Sequence, residues 1–336
     1  MRLGRKLLAI GGLILLLLIP LALLDGLVDE RQQRAAEVVA DIAQASANAQ
    51  RVTAPLLRLE VERVVRRMER LGSDERPPLQ PVDHTEVETL LVAAEAVDVN
   101  ATLGTETRQR GLFDARIFQQ KAEISARFRV PRLDEVPGQQ SVRLRDARWV
   151  LGLGDNRGIT ALTVSANGHP LQPEPGTRTA SLPDGVQAAL PAGLAGGAVV
   201  ETAASLSLTG TSQLAWLPVA EDFRWRLDGD WPHPRFAGFA LPVQREVRAD
   251  GFSAEWRLSS LASQAPQRLA ACGPESHCPG LEATAVSLEL LDPRSGERAS
   301  EALIEQVGRA PLPPYIRRPR GADPALECDR SSYQTV

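Results

Sequence analysis

Cys272 and Cys278 bracket Gly273-Pro274-Glu275-Ser276-His277, and thiols at that spacing could do chemistry in three ways. Outside the cytoplasm they could close a small disulfide loop across the Gly-Pro turn, the leading reading. They could stay as two free thiols. With His277 they could offer metal ligands, but a fourth is missing and the spacing fits no standard zinc pattern. Cys328 is the odd thiol, and His84, His169 and His233 form no HExxH or HxH cluster. Neither a GxSxG elbow, nor a P-loop, nor a GxGxxG after a strand pattern is present. Gly152-Leu153-Gly154 is half of a dinucleotide fingerprint, but no helix pattern follows it. Asp155, Asp230 and Glu255 come nearest to a glycosidase-like carboxylate pair. With 42 Asp and Glu in the chain, choosing two of them is arbitrary. The expectation is a protein that is not an enzyme, with no catalytic residue, no cofactor and no metal.

Two segments are denser in polar and aromatic groups than their surroundings. The first, 154–159, packs Asp155, Asn156 and Arg157 between two glycines, so that an Asp155–Arg157 pair could fix the shape of a turn. The second, 230–236, sets Trp231, His233 and Phe236 around rigid prolines. Rigid aromatic anchors suit binding surfaces. In the competing and favoured reading, Trp231 and Phe236 cap the core at a strand end. With Trp256 on a later strand, the six interaction candidates are Asp155, Arg157, Trp231, His233, Phe236 and Trp256.

What must position them is mostly β-structure. Ala122, Ile124, Ala126, Phe128 and Val130 alternate with Glu123, Ser125, Arg127 and Arg129, a period of two that wets one face and buries the other. Similar runs recur at 142–144, 206–208, 223–227, 252–258 and 286–290, separated by turn clusters such as Asn167-Gly168. Gly and Pro number 26 and 25, too many for a helical bundle. The spacing predicts a mainly β chain, with a large antiparallel β-sandwich-like domain over 52–309. Residues 73–81 read as a linker or long loop. The Pro- and Arg-rich residues 310–336 read as a disordered tail.

The N-terminal part has a different character. Residues 7–24 are an 18-residue run without a charge, reaching about 27 Å as a helix, close to the roughly 30 Å of a bilayer core. Arg2, Arg5 and Lys6 precede it and Asp25, Asp29 and Glu30 follow. The positive-inside rule therefore keeps residues 1–6 in the cytoplasm and sends the bulk of the chain across. A cleaved signal peptide is the alternative, but its apolar part is usually shorter and ends in small residues. Residues 25–51 then read as a helical stalk, with Ala35, Val38, Val39, Ile42, Ala45 and Ala49 at three- and four-residue steps. The stalk is expected to pack on its own domain rather than on a partner. Net charge is −4, which argues against nucleic acid as a partner. The partners expected are the lipid bilayer through 7–24 and an unidentified envelope protein or cell-wall component.

Five ordered motifs carry a family resemblance: GDNRGI (154–159), LTGTSQLAWLP (208–218), DWPHPRF (230–236), LPVQREV (241–247) and GFSAEW (251–256). LLLLIPL (15–21) and VTAPLL (52–57) precede them in order. From about residue 10 to 292 the chain resembles the CreD family of bacterial inner-membrane cell envelope integrity proteins. The resemblance implies a bacterial inner-membrane location, a large periplasmic β domain, and an association with envelope maintenance and a two-component stress regulon. It carries over no catalytic residue. It also implies several C-terminal transmembrane helices, yet no stretch after Leu290 approaches the roughly 18 apolar residues a span needs. A frameshifted or truncated gene product is the leading expectation, and a natural single-anchor variant the other. The alternative function, a membrane-anchored periplasmic hydrolase or carbohydrate-binding module, would need two carboxylates and an aromatic platform in one cleft.

Overall fold

A computed structural model describes residues 47–70, 79–110, 113–132, 141–182, 184–270 and 280–290, together with 30, 33, 34 and 37. All belong to the first of two compact units, Met1–Pro293, the second being Arg294–Val336. The expected anchor at 7–24, the Cys272–Cys278 pair and the tail at 310–336 lie outside the described residues.

The chain is mainly β. In order, β1 (Gln50–Thr53), β2 (Leu56–Arg70), β3 (Leu79–Arg110), β4 (Phe113–Arg129) and β5 (Ser141–Gly152) lead through a 3-10 turn (Asn156–Gly158) to β6 (Ile159–Ala166). Then come β7 (His169–Leu171), β8 (Pro173–Pro175), β9 (Gly185–Ala189), β10 (Val199–Thr211), β11 (Gln213–Leu217) and β12 (Ala220–Gly229). The series ends with β13 (Pro234–Gly238), β14 (Gln244–Arg248), β15 (Gly251–Ser259) and β16 (Val286–Leu290). Two short helices, Ser260–Ser263 and Ala265–Ala270, follow β15. Among the described residues no helix is long and apolar enough to cross a membrane.

The layering differs from two antiparallel sheets of a sandwich. A 12-stranded sheet runs β7-β6-β10-β4-β3-β2-β5-β9-β8, with β12, β15 and β14 branching from β3. It nearly closes into a barrel. The branch exists because β3 is long enough to serve two partners in series on one edge: Leu79–Ala93 pairs with β2, and Ala94–Leu103 pairs with β12 in parallel. A second sheet, β1-β11-β16-β13, contains another parallel pair, β1 with β11. Both sheets contribute to one hydrophobic cluster, in which Val52, Trp216 and Leu288 of the small sheet join Phe118, Trp149, Leu206 and Trp225 of the large one. A smaller cluster of Leu56, Leu217, Val219, Ala265, Leu269 and Leu281 seats the second helix.

Along β4 the side chains from Ala122 to Val130 are buried and exposed in strict alternation, as the period-two pattern predicts. β16 departs from that rule. All five of its residues are buried, Ser287 and Glu289 included, so both of its faces are covered. The Asn167-Gly168 turn joins β6 to β7 with φ of 48° and 80°, the two-residue hairpin geometry with both central residues at positive φ, whose twist matches the right-handed twist of paired strands.

The stalk needs correction at its C-terminal end. Glu30, Gln33, Arg34 and Glu37 are helical, and Arg34 pairs with Glu30 at 2.6 Å. Residues 47–51, which the alanine spacing assigns to the same helix, are not helical: 47–49 form no regular element, and Gln50 and Arg51 begin strand β1. Small residues bury equally well in either conformation, so their spacing does not distinguish them. Pairing with β11 and capture of polar side chains decide the matter.

Candidate functional site

The 154–159 segment forms a socket, and what fills it is the chain's own 47–51 segment. Asp155 lies at the start of the 3-10 turn, where its side chain accepts from the Arg157 amide at 3.0 Å, an N-cap bond. Oδ2 accepts from the Asn48 amide at 3.2 Å and from Asn48 Nδ2 at 3.0 Å. The Arg157 guanidinium closes on the same carboxylate, with Nη2 at 2.6 Å from Oδ2 and Nε at 3.0 Å from Oδ1. The Asp155 carbonyl takes Gln50 Nε2 at 3.1 Å, and that same nitrogen reaches the Thr209 carbonyl at 3.2 Å. From the other side Thr211 Oγ1 donates to the Ala47 carbonyl at 2.7 Å, and the Thr211 amide to the Asn48 carbonyl at 3.3 Å. Ala47 and Gln50 are fully buried by these contacts. Arg51 adds an ion pair to Glu282 at 2.9 Å.

Two glycines make room. A Cβ on Gly158 would collide with the Thr209 carbonyl oxygen and with Gln50 Nε2 at 2.5 Å, and one on Gly154 would sit 3.0 Å from the Arg51 amide. Burial alone would push the Asp155 carboxyl up, but the Arg157 guanidinium and the Asn48 and Arg157 amides outweigh it and hold it below the usual carboxylate range. An ionised carboxylate with five donors on its two oxygens has no lone pair to spare for a substrate proton. The arrangement can hold a chain segment.

Trp231 and His233 stay together, their rings edge-on at 6.2 Å, whereas Phe236 packs elsewhere. Trp231 is 9% exposed and belongs to the core cluster. Its Nε1 donates to the His233 carbonyl at 2.9 Å, and the Arg116 guanidinium lies 4.6 Å from its ring centre. His233 itself is exposed. Phe236 packs edge-on against Phe252 at 5.7 Å and Trp256 at 5.5 Å. Trp256 stacks on Trp225 at 4.3 Å, and Trp225 meets Trp216 at 6.2 Å, so Phe236 and Trp256 belong to an aromatic seam inside the core. The core-capping reading of Trp231 and Phe236 is the one the packing supports.

The three carboxylates do not share a cleft. Asp155 is committed to the socket. Asp230 accepts from the Thr105 amide at 2.9 Å and hydroxyl at 2.8 Å. Glu255 bonds Arg257 at 2.6 Å, with Arg224 and Arg226 close by, and these guanidiniums hold its carboxyl low. Glu255 sits opposite Arg226, four residues short of Asp230, or roughly 13 Å along the strand. That exceeds the roughly 9.5 Å upper limit for an inverting glycosidase pair. Among the described residues, no three His, Cys, Asp or Glu side chains form a metal-binding group.

Thr211 and Ser212 tie the two dense segments together. Thr211 holds Ala47 and Asn48, while the Ser212 amide donates at 3.0 Å to the carbonyl of Arg116, the residue that lies over Trp231. Asn48, Gln50, Thr209 and Thr211 escaped the sequence reading. Their only signal was position: Thr209 and Thr211 fall within LTGTSQLAWLP, and Asn48 and Gln50 just precede VTAPLL.

Known proteins place the chain by sequence. A family model described as inner membrane protein CreD matches residues 2–300. Inner membrane protein CreD of Escherichia coli K12 is 30% identical over 266 residues, covering 79% of this chain and 57% of that protein. The chain therefore spans just over half of that relative's length. Among solved structures, an M1 zinc metallopeptidase from Deinococcus radiodurans aligns with 59% of this chain and 42% of its own at 10% identity and TM-score 0.27. A putative nutrient binding protein from Legionella pneumophila aligns with 59% of this chain and 68% of its own at 10% identity and TM-score 0.28. Likenesses that low carry no argument. The motifs that converge on the socket and the Trp231 corner agree with the sequence match, and the chain belongs to the CreD family of inner-membrane proteins.

Proposed function

We propose that the chain is a membrane-tethered, non-catalytic protein of envelope integrity and stress response. Residues 7–24 anchor it in the inner membrane with residues 1–6 on the cytoplasmic side. The β-rich part, 52–309, works in the periplasm by contact with another envelope protein or a cell-wall component. One observation carries this reading: the most heavily bonded polar group of the described residues, Asp155, is spent on fastening the segment that follows the apolar run to the β domain. A carboxylate used in that way serves mechanical continuity between anchor and domain rather than proton transfer.

Protease added to spheroplasts should digest the β-rich part and spare a tag fused before Met1. Full protection until lysis would overturn the orientation. Purified chain incubated with peptidoglycan should release no soluble fragments, and steady release would overturn the non-catalytic reading in favour of a hydrolase.

A further inference from the structure

An open sheet edge invites pairing, and most edges of this fold are blunted. Among the described residues the two sheets end in β1, β7, β8, β13 and β14. β7 and β8 are three residues long and carry Pro170, Pro173 and Pro175, and β13 starts at Pro234. Proline cannot donate to a ladder, and a very short strand offers little to pair with. β1 is largely buried in the socket. β14 has no such protection. It is five residues long, contains no proline, pairs with β15 alone and exposes every side chain. It is also the body of LPVQREV, the one motif of the five that neither the socket nor the core cluster takes up.

β14 closes on β15 through the two-residue Ala249-Asp250 turn, with Arg248 opposite Gly251. The closing pair of such a hairpin exchanges its amide bonds, and bonded and unbonded pairs then alternate. Gln244, Glu246 and Arg248 therefore commit their amides to β15, while Arg245 and Val247 turn theirs to the open edge. Val247 is 51% exposed, and Phe239, Leu241 and Val243, also exposed, precede it on the same stretch. Glu246 and Arg248 share the other face, and their 3.4 Å contact with each other leaves them 69% and 47% exposed.

We infer that β14 is a self-association edge, which joins two copies of this chain as an antiparallel β14–β14 pair about a two-fold axis. Charge selects the register. A centre at Arg245 sets that residue against itself, and a centre at Glu246 does the same with two carboxylates. Like charges directly opposite destabilise a sheet. A centre at Val247 sets Val247 against its counterpart through open-edge amides, and each Glu246 against the second copy's Arg248. In that register the strand is complementary to itself, and the exposed valines cover each other. An edge this short makes a weak dimer.

The test takes purified full chain in detergent micelles, tagged with donor or acceptor fluorophores, and reads energy transfer as concentration rises to about 100 μM. Wild type should show saturable transfer. E246R leaves only positive charge on that face of β14, and R248E only negative, so each variant alone should associate roughly tenfold more weakly. A mixture of E246R with R248E restores both ion pairs, one sign on each copy, and should return association to within about threefold of wild type. Both positions are exposed, so the substitutions leave the core intact. Wild type without saturable transfer overturns the inference. Transfer that both variants retain also overturns it, by placing the contact elsewhere. Loss that mixing does not repair overturns it too, and leaves the edge to a different extended segment.

Discussion

At the scale of single residues, Asp155 matters far more than its ion-pair partner. Its carboxylate is buried and satisfies two backbone amides and the Asn48 side chain, whereas the Arg157 side chain is 52% exposed. D155A leaves those donors without an acceptor, and a urea melt should show a loss of about 2–4 kcal/mol. R157A removes a contact screened by water and should shift the same melt far less than D155A. The pH dependence follows from the sign of the shift. The folded carboxyl lies below its unfolded value of about 3.9. Its contribution is therefore fully present above that value and disappears as pH falls through the folded one. The difference in melting temperature between wild type and D155A should be constant from about pH 5 to 8 and should shrink below about pH 4.

At the scale of elements, two glycines show the two separate reasons for that residue type. Gly158 is needed for close approach, because a methyl group there meets the Thr209 carbonyl and the Gln50 amide. G158A should destabilise by about 2–4 kcal/mol and should raise amide exchange in Gln50–Thr53, the strand that the socket holds. Gly168 has open space around it but a φ of 80°. G168V should lose about 1–2 kcal/mol from strain alone, with exchange rising only in the β6–β7 hairpin. If G158A left exchange in β1 unchanged, the socket would not be what holds the segment.

At the scale of the whole molecule, both sheets are bound through one aromatic seam. Trp216 belongs to the small sheet, while Trp225 and Trp256 belong to the large one. Among the described residues the indole nitrogens of Trp216 and Trp225 find no hydrogen-bond partner, so burial and ring contact hold them. W225A should lose about 3–5 kcal/mol. Because the cluster is continuous, near-UV and far-UV signals should be lost together rather than in two steps. Separate transitions would mean that the two sheets fold as independent units.

Much of this was legible along the chain. The predominance of strand, the buried face of β4 and the hairpin turn at Asn167-Gly168 follow from patterns a few residues long, because pleat and turn geometry are local. Asp155 and Arg157 also stood out as a pair, for their spacing lets them meet within one turn. Their purpose was not legible. It depends on Asn48 and Gln50, more than a hundred residues away, and on Thr209 and Thr211 on a third element. The same limit explains the strand at 50–53, whose alanine-rich approach fits a helix until β11 offers it an edge. It explains β16 as well, since burial on both faces depends on neighbours that local alternation does not encode. Local periodicity determined which segments became strands. Only the tertiary structure decided which strands met, that β3 would serve two partners in series, and that the best-bonded carboxylate would fasten the chain to itself, because such contacts join residues distant in sequence.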